Sequence, residues 1–370
     1  MRKILLVFGT RPEAIKMCPL VRELKKREFE VKVCVSGQHR EMLDSVLKVF
    51  QVVPDYDLAI MREEQSLFDI TTGVLEKLRG VLEAERPELV LVQGDTTTAF
   101  AAALASFYLR IPVGHVEAGL RTYNIHSPYP EEFNREAISV ISSYHFAPTQ
   151  PAADNLKRAG RDPAKIFVTG NTVIDAMRHT VTENYRHEEL DWVGEDKLIF
   201  ITAHRRENLG EPMRRMFRAI RRVLDEHTDC KAIYPVHMNP LVRTVAEEEL
   251  GGCDRIHILE PMDVLDCHNF EARCFLCLTD SGGIQEECPS YGKPVLVMRD
   301  TTERPEGVAA GTLKLVGTGE ETIYEEFSQL LNDKTEYEKM SKACNPYGDG
   351  HACERIADVL EKGFCSPWMG

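Results

Sequence analysis

The sequence predicts an α/β protein made of two doubly wound, parallel-sheet domains. Three observations lead there. Short continuous runs of Val, Ile and Leu alternate with segments of helical apolar spacing, the pattern of strands covered on both faces by helices. The runs fall into two series of six, separated by a polar helical stretch at 183–189. The chain has 370 residues, 43% hydrophobic and 28% charged, an ordinary globular composition with length for two cores.

The first series of strands is expected at 3–8, 31–36, 88–93, 111–116, 144–147 and 166–169. The second is expected at 197–203, 231–236, 255–259, 275–279, 294–298 and 312–316. Helical spacing fills the intervals at 12–27, 39–50, 66–85, 96–109, 133–142, 149–160 and 171–186, then at 211–227, 240–250, 263–272, 283–291 and 320–332. An amphipathic segment at 349–362 follows. The expected domains are 1–168, completed by the C-terminal helix 353–370, and 169–352.

The totals narrow the function. A net charge of −14 gives no support for binding nucleic acid or an anionic membrane, both of which call for a basic face. No stretch approaches the roughly 18 apolar residues of a membrane span. The charged-then-apolar start, Met1 to Phe8, stops at Gly9 and reads as a first core strand and not as a signal sequence. Eleven scattered cysteines, several within apolar runs, fit buried thiols in a reducing cytoplasm. The one close pair, Cys274 and Cys277, has no second pair at zinc-site spacing, so no metal is expected.

In open α/β sheets chemistry gathers beyond the carboxyl ends of the strands. Strand 3–8 leads into Gly9-Thr10-Arg11-Pro12-Glu13-Ala14-Ile15-Lys16. Pro12 suits a helix start, which sets Arg11 at the entrance. A base there opposes the helix dipole, so Arg11, with Lys16 about one turn on, reads as a holder of phosphate oxygens. Ser36-Gly37-Gln38-His39-Arg40-Glu41 after the second strand is polar but unspecific. Gln93-Gly94-Asp95-Thr96-Thr97-Thr98 opens an Ala-rich helix, where Asp95 is either the N-cap or a carboxylate at the cleft. Alternation puts His115 and Glu117 on one face of the next strand, and a charge ending an apolar strand needs a partner or a cleft. Glu131 and Glu132 occupy a first helical turn, and Glu131 is spaced to pair with Arg135.

In the second series, Ala203-His204-Arg205-Arg206-Glu207-Asn208 concentrates a His and two Arg at a strand end. His237 ends the following strand in the same way. Asp280-Ser281-Gly282-Gly283-Ile284-Gln285-Glu286-Glu287 runs from an apolar strand through small residues into a helix. Its backbone N–H groups and helix dipole suit a phosphate, and its Glu pair suits sugar hydroxyls. An ordinary corner capped by Asp280 or Ser281 fits the same residues. Thr302-Glu303-Arg304-Pro305-Glu306-Gly307 adds a charged loop on the same side.

No Gly-x-Gly-x-x-Gly follows a strand, so nicotinamide and flavin binding are not supported. Walker, His-Glu-x-x-His and Gly-x-Ser-x-Gly patterns are missing too. What remains is Arg and helix ends suited to a diphosphate, several carboxylates and a histidine.

Taken in order across nearly the whole chain, these motifs resemble the non-hydrolysing UDP-N-acetylglucosamine 2-epimerases: Gly9 to Lys16, Gly94 to Thr98, His115 to Arg121, Pro130 to Arg135, His204 to Asn208, Asp280 to Glu287 and Thr302 to Gly307. The resemblance implies two Rossmann-like domains in a GT-B-like pair, with the active site in the interdomain cleft of a cytoplasmic homodimer. It implies reversible inversion at C2 between UDP-GlcNAc and UDP-ManNAc, through elimination of UDP to a 2-acetamidoglucal and re-addition, without cofactor. Carried onto matching positions, Asp95, Glu117 and Glu131 are the acid/base residues around C2 and C3, with the proton acceptor left open. His204 and Arg135 act at the diphosphate and leaving oxygen, beside Arg11 and Lys16. Ser281, Gly282 and Gly283 hold phosphate, Glu287 binds ribose, and His237 and Arg304 complete the substrate set.

Many bacterial members also bind a second UDP-GlcNAc as an activator. The matching positions are Gln38, His39, Gln65 and Arg206. Glu64 stands where relatives often carry a base, and Glu41 where they have Gln, so weaker or altered activation is expected. The competing readings are a hydrolysing relative that releases ManNAc, a GT-B glycosyltransferase and a catalytically silent UDP-sugar sensor. The full set of carboxylates argues against the sensor, and the lack of an acceptor-binding feature against the transferase.

Overall fold

The structure, a computed structural model, describes residues 2–37, 40–62 and 65–363. Among them, thirteen strands form two all-parallel sheets. The first holds β1 (Arg2–Phe8), β2 (Phe29–Val35), β3 (Tyr56–Asp57), β4 (Leu89–Gln93), β5 (Val113–Val116), β6 (Tyr144–Ala147) and β7 (Ile166–Val168), in the order β3-β2-β1-β4-β5-β6-β7. The second holds β8 (Lys197–Thr202), β9 (Cys230–Pro235), β10 (Ile256–Leu259), β11 (Leu276–Thr279), β12 (Val295–Val297) and β13 (Leu313–Leu315), in the order β10-β9-β8-β11-β12-β13. All twelve expected strands are present. The seventh strand of the first sheet, β3, has two residues and so no period to read.

Burial on both faces explains the continuous apolar runs. In the second sheet, Ile199, Ile201, Ala232, Tyr234 and Leu278 pack on one side against Met216, Phe217, Ile220 and Phe327. The alternate residues Leu198, Phe200, Ile233, Cys277 and Val295 pack on the other against Phe270, Ile284 and Cys288. Each large side chain so buried contributes about 1.5–3 kcal/mol. In the first sheet, Leu5, Val7, Val90 and Val92 meet Val74 and Leu78 and a row of alanines from helix Thr97–Tyr108, whose small side chains let the helix lie close.

The chain divides into two compact units, Met1–His179 with Tyr347–Gly370, and Thr180–Pro346. The expected divisions were 168/169 and 352/353. The difference comes from helix Thr172–Thr180, whose Asp175 accepts the N–H groups of Ala352 (3.1 Å) and Cys353 (2.8 Å) and so stays with the closing helix Ala352–Glu361. That closing helix is fastened to the first strand through Arg2 Nη1 and the Leu360 carbonyl, 2.9 Å.

Two helices differ from expectation. The one expected at 171–186 ends at Thr180, and a separate short helix, Glu188–Val193, follows. The one expected at 283–291 is a single α turn, Ile284–Glu287, continued as a 3-10 segment, Cys288–Tyr291. Pro289 has no N–H to extend the α ladder. No helix among the described residues is long and apolar enough to cross a membrane.

In both sheets the strand order reverses between the first strand and the fourth, at β1/β4 and at β8/β11. These switch points are where open α/β sheets leave room for ligands.

Candidate active site

Each unit carries one group of candidate residues at its switch point. In the first unit, Glu13 lies buried beneath the loops that leave β1 and β4. Its Oε2 accepts the Gly9 N–H (3.1 Å), the Thr10 N–H (2.8 Å) and the Thr10 hydroxyl (2.8 Å). Its Oε1 accepts the Thr96 hydroxyl at 2.7 Å. Burial raises the carboxyl above its usual range, and these bonds oppose the rise. Thr10 caps helix Arg11–Lys25, which places Arg11 at the first helical position.

The next helix takes Thr96, and not Asp95, as its cap. Thr96 caps Thr97–Tyr108, its hydroxyl taking the Ala99 N–H at 3.0 Å. The Asp95 carboxylate is instead ion-paired to Arg135 at 2.8 Å and partly buried, with 27% of its side chain exposed. Burial pushes this carboxyl up to about 6; Arg135 pulls it down, while Glu117 and Glu131 add to the rise. Asn134 donates its amide to the Asp95 carbonyl at 2.9 Å and fixes the loop.

Arg135 is buried and pairs with Asp95 and, at 3.4 Å, with Glu132, where sequence spacing pointed to Glu131. Glu132 is fully buried and accepts the N–H groups of Thr122 (3.0 Å) and Tyr123 (2.9 Å). Glu131 is half-buried and has no hydrogen bond or ion pair among the described residues.

Glu117 leaves β5 with φ +62°, a left-handed conformation costing a non-glycine residue about 1–2 kcal/mol. Such strain concentrates at functional sites. Its carboxylate is ion-paired to Lys16 and accepts the Asn171 amide at 3.0 Å. Lys16, expected to hold phosphate, therefore sits in the carboxylate group of its own unit. His115 is sealed and fastens the Gly94 turn by donating Nε2–H to the Gly94 carbonyl at 2.7 Å. Burial lowers its pKa to about 4 and keeps the ring neutral at pH 7.

In the second unit the central carboxylate is Asp280, which has no exposed surface. It accepts the N–H groups of His204 (3.0 Å) and Arg205 (2.9 Å) and the Asn208 amide (3.1 Å), joining the loop after β8 to the end of β11. His204 Nδ1 lies 3.5 Å from Asp280, and its ring stacks on His237 at 5.3 Å and 9°. Burial lowers the His204 pKa, with the Asp280 carboxylate opposing and His237 and Arg205 assisting.

Two guanidiniums converge on Gly282. A Cβ built there would lie 3.6 Å from the Arg304 guanidinium carbon and 3.7 Å from Arg205 Nη2. Acids hold both cations from behind: Arg304 Nε donates to Glu286 at 2.7 Å, and Arg205 Nη1 stands 3.7 Å from Glu303. Arg299, donating to Glu303 at 2.7 Å, lowers that carboxyl to about 2 against the effect of its burial. The helix end suits a phosphate less than its sequence implies. The α turn is short, and the Ser281 N–H is taken by Thr279 Oγ1 at 2.9 Å. The two arginines supply the positive potential at this turn. Glu287 is nearly buried and faces His268.

Sequence reading missed the parts of Glu13, Asn171, Glu132 and Asp280 as fasteners. Glu13, Glu132 and Asp280 lay inside quoted motifs. Asn171 carried no local signal. Among the described residues no group of three or more His, Cys, Asp or Glu is placed to hold a metal ion.

The family model described as UDP-N-acetylglucosamine 2-epimerase matches residues 22–361. The UDP-N-acetylglucosamine 2-epimerase of Bacillus subtilis is 58% identical over 359 residues, covering 97% of this chain and 94% of that protein. This chain belongs to the UDP-N-acetylglucosamine 2-epimerase family.

UDP-N-acetylglucosamine 2-epimerases are isomerases, and their solved structures carry the same fold. The putative family member from Listeria monocytogenes is 52% identical, with a TM-score of 0.92, covering 97% of this chain and 96% of that one. The enzyme of Neisseria meningitidis, solved bound to UDP-GlcNAc, is 48% identical with a TM-score of 0.90, covering 98% and 100%. Of the positions that the resemblance to UDP-N-acetylglucosamine 2-epimerases tied to an activator, Gln38 and His39 lie outside the described residues, as do Glu64 and the side chain of Glu41. Gln65 donates its amide to the Ile60 carbonyl, and Arg206 is exposed in the 3-10 turn Arg206–Asn208.

Proposed function

We propose that the chain interconverts UDP-GlcNAc and UDP-ManNAc by eliminating UDP to 2-acetamidoglucal and adding it back. The observation that carries this reading is the Asp95 carboxylate: partly exposed, released from capping, and held near pH 6. A group in that range suits proton transfer at neutral pH. C2–H of a sugar is not acidic, so the proton leaves as the C1–O bond breaks. The C–H pair becomes the C1=C2 bond, the C–O pair departs on the β-phosphate oxygen, and the proton goes to a carboxylate. Return of a proton to the opposite face inverts C2.

In this reading Asp95 and Glu131 serve the two faces. Glu117, paired with Lys16 and bonded by Asn171, stabilises positive charge developing at C1. Arg11 and Arg135 lie on the sugar-phosphate side. His204, His237, Arg205, Arg304 and the Ser281–Gly283 turn receive the charge of departing UDP, as preorganised donors do for a developing anion, and Glu287 takes the ribose hydroxyls. No oxidised intermediate is needed. A homodimer is part of the proposal; exposed Phe107, Tyr108, Phe133 and Val140 on helices Thr97–Tyr108 and Glu131–Ile141 support it.

Incubation with UDP-GlcNAc in heavy water, followed by NMR, tests the reading. Deuterium at C2 in both UDP-sugars is expected. Free ManNAc as main product would indicate hydrolysis, and no exchange without an acceptor a transferase or sensor.

A further inference from the structure

Behind Glu287 lies a sealed polar group that the reaction as proposed does not use. Helix Val264–Arg273 presents His268 and Glu271 on one face, three residues apart, toward Glu287. His268 is 2% exposed and Glu271 has no exposed surface. His268 Nε2 stands 3.8 Å from Glu287 Oε2, and its Nδ1 is bonded to the buried Thr180 hydroxyl at 2.7 Å. Glu271 Oε1 receives the Cys267 thiol at 3.1 Å. Glu271 Oε2 is sealed from solvent and meets no donor.

A buried carboxylate oxygen without a donor is costly, and two adjacent buried carboxyls cannot both ionise. Burial and then the Glu287 charge hold the Glu271 carboxyl well above its usual range, with the bond from the Cys267 thiol opposing them. A proton removes the conflict, because a carboxylic acid can donate where a carboxylate only accepts. Glu287 also has a fixed direction. Its Oε2 points inward to His268, while its Oε1 lies over Gly283, where a Cβ would come within 3.1 Å of it. The inner oxygen is the one to be fastened, and the outer one faces the Ser281–Gly283 turn.

We propose that Glu271 is a positioning residue, held as the neutral acid, whose O–H donates to Glu287 and, with His268, sets Glu287 to receive the nucleotide's ribose hydroxyls. The proposal rests on the ribose reading of Glu287, and the test separates the two. Binding of UDP and of 2′-deoxy-UDP is measured by calorimetry for the full chain and for Glu287→Ala, Glu271→Leu and Glu271→Gln.

The wild type is expected to prefer UDP by about tenfold or more, and Glu287→Ala to abolish that preference. If Glu287→Ala keeps it, the ribose reading fails, and the proposal with it. Glu271→Leu is expected to lose the preference, and Glu271→Gln, whose amide still donates, to keep it within about threefold. Loss of preference in Glu287→Ala but not in Glu271→Leu overturns the positioning role alone. Should Glu271→Leu not fold, infrared difference spectra of wild type against Glu271→Gln at pH 7 decide. A protonated carboxyl band missing from the variant supports the proposal, and an ionised carboxylate band missing instead overturns it.

Discussion

Asp280 accepts the backbone N–H of Arg205 at 2.9 Å, and this bond joins the end of β11 to the loop that carries His204 and Arg205. Together with the His204 N–H and the Asn208 amide, three donors converge on one sealed carboxylate. Asp280→Ala orphans all three, at about 1–3 kcal/mol each. Urea unfolding should show a loss of about 3 kcal/mol or more, with UDP affinity falling as well. Asp280→Asn keeps one acceptor oxygen and should fall between. Unchanged stability in Asp280→Ala would show that water replaces the carboxylate.

Asp95→Asn should abolish deuterium exchange at C2, a loss of about 10²–10⁴-fold or more. UDP binding should persist, because Asp280 and the arginines of the second unit are untouched. Retained exchange would reduce Asp95 to a partner of Arg135.

A base at Asp95 must be ionised, so kcat/KM should fall about tenfold per pH unit below about 6. The shift has the opposite sense for stability. The folded state holds this proton more tightly than the unfolded chain, whose Asp titrates near ~4. Asp95 thus favours the fold at low pH and loses that effect as pH rises through about 6. A pH–rate profile flat from 5 to 8 would separate Asp95 from the proton transfer.

Lys16 and Glu117 form a nearly buried pair. Lys16→Met leaves the carboxylate without its cation, for which about 3–5 kcal/mol of destabilisation is expected. Thermal unfolding measures it. Asn171→Ala removes the amide donor to the Glu117 carboxylate and the acceptor of the Val173 N–H, and should cost about 1–3 kcal/mol with a larger effect on kcat than on KM.

Glu64 and Glu41 stand beside Gln65 and two residues from His39 in sequence, at positions that resemble an activator site. Trace UDP-GlcNAc should stimulate conversion of UDP-ManNAc weakly here, and more strongly after Glu64→Lys. Stimulation by the unaltered chain equal to that of a relative with the basic residue would remove the charge argument.

Most of the architecture was legible because parallel strands buried on both faces leave uninterrupted apolar runs. The two-residue β3 leaves none, and helices Pro305–Ala310 and Lys334–Ser341 are too short for periodicity to stand out. The short turn at Ile284 was misjudged because hydrophobic spacing continues across Pro289. At the site, the candidates were chosen by their position at strand ends. Pairing was not legible. Arg135 reaches Asp95 across 40 residues and prefers it to its helical neighbour Glu131, and Asn171 reaches Glu117 across 54. Adjacent caps are also hard to separate, as Asp95 and Thr96 show: both can cap, and only the backbone decides which does.

The closing helix bears on how the protein is made. Ala352–Glu361 belongs with Arg2 and Asp175, so the ribosome has synthesised every residue of the Thr180–Pro346 unit before the first unit can be finished. Domains commonly mature in the order they emerge; here the later unit is the one able to complete first, and the earlier waits for the last stretch of translation.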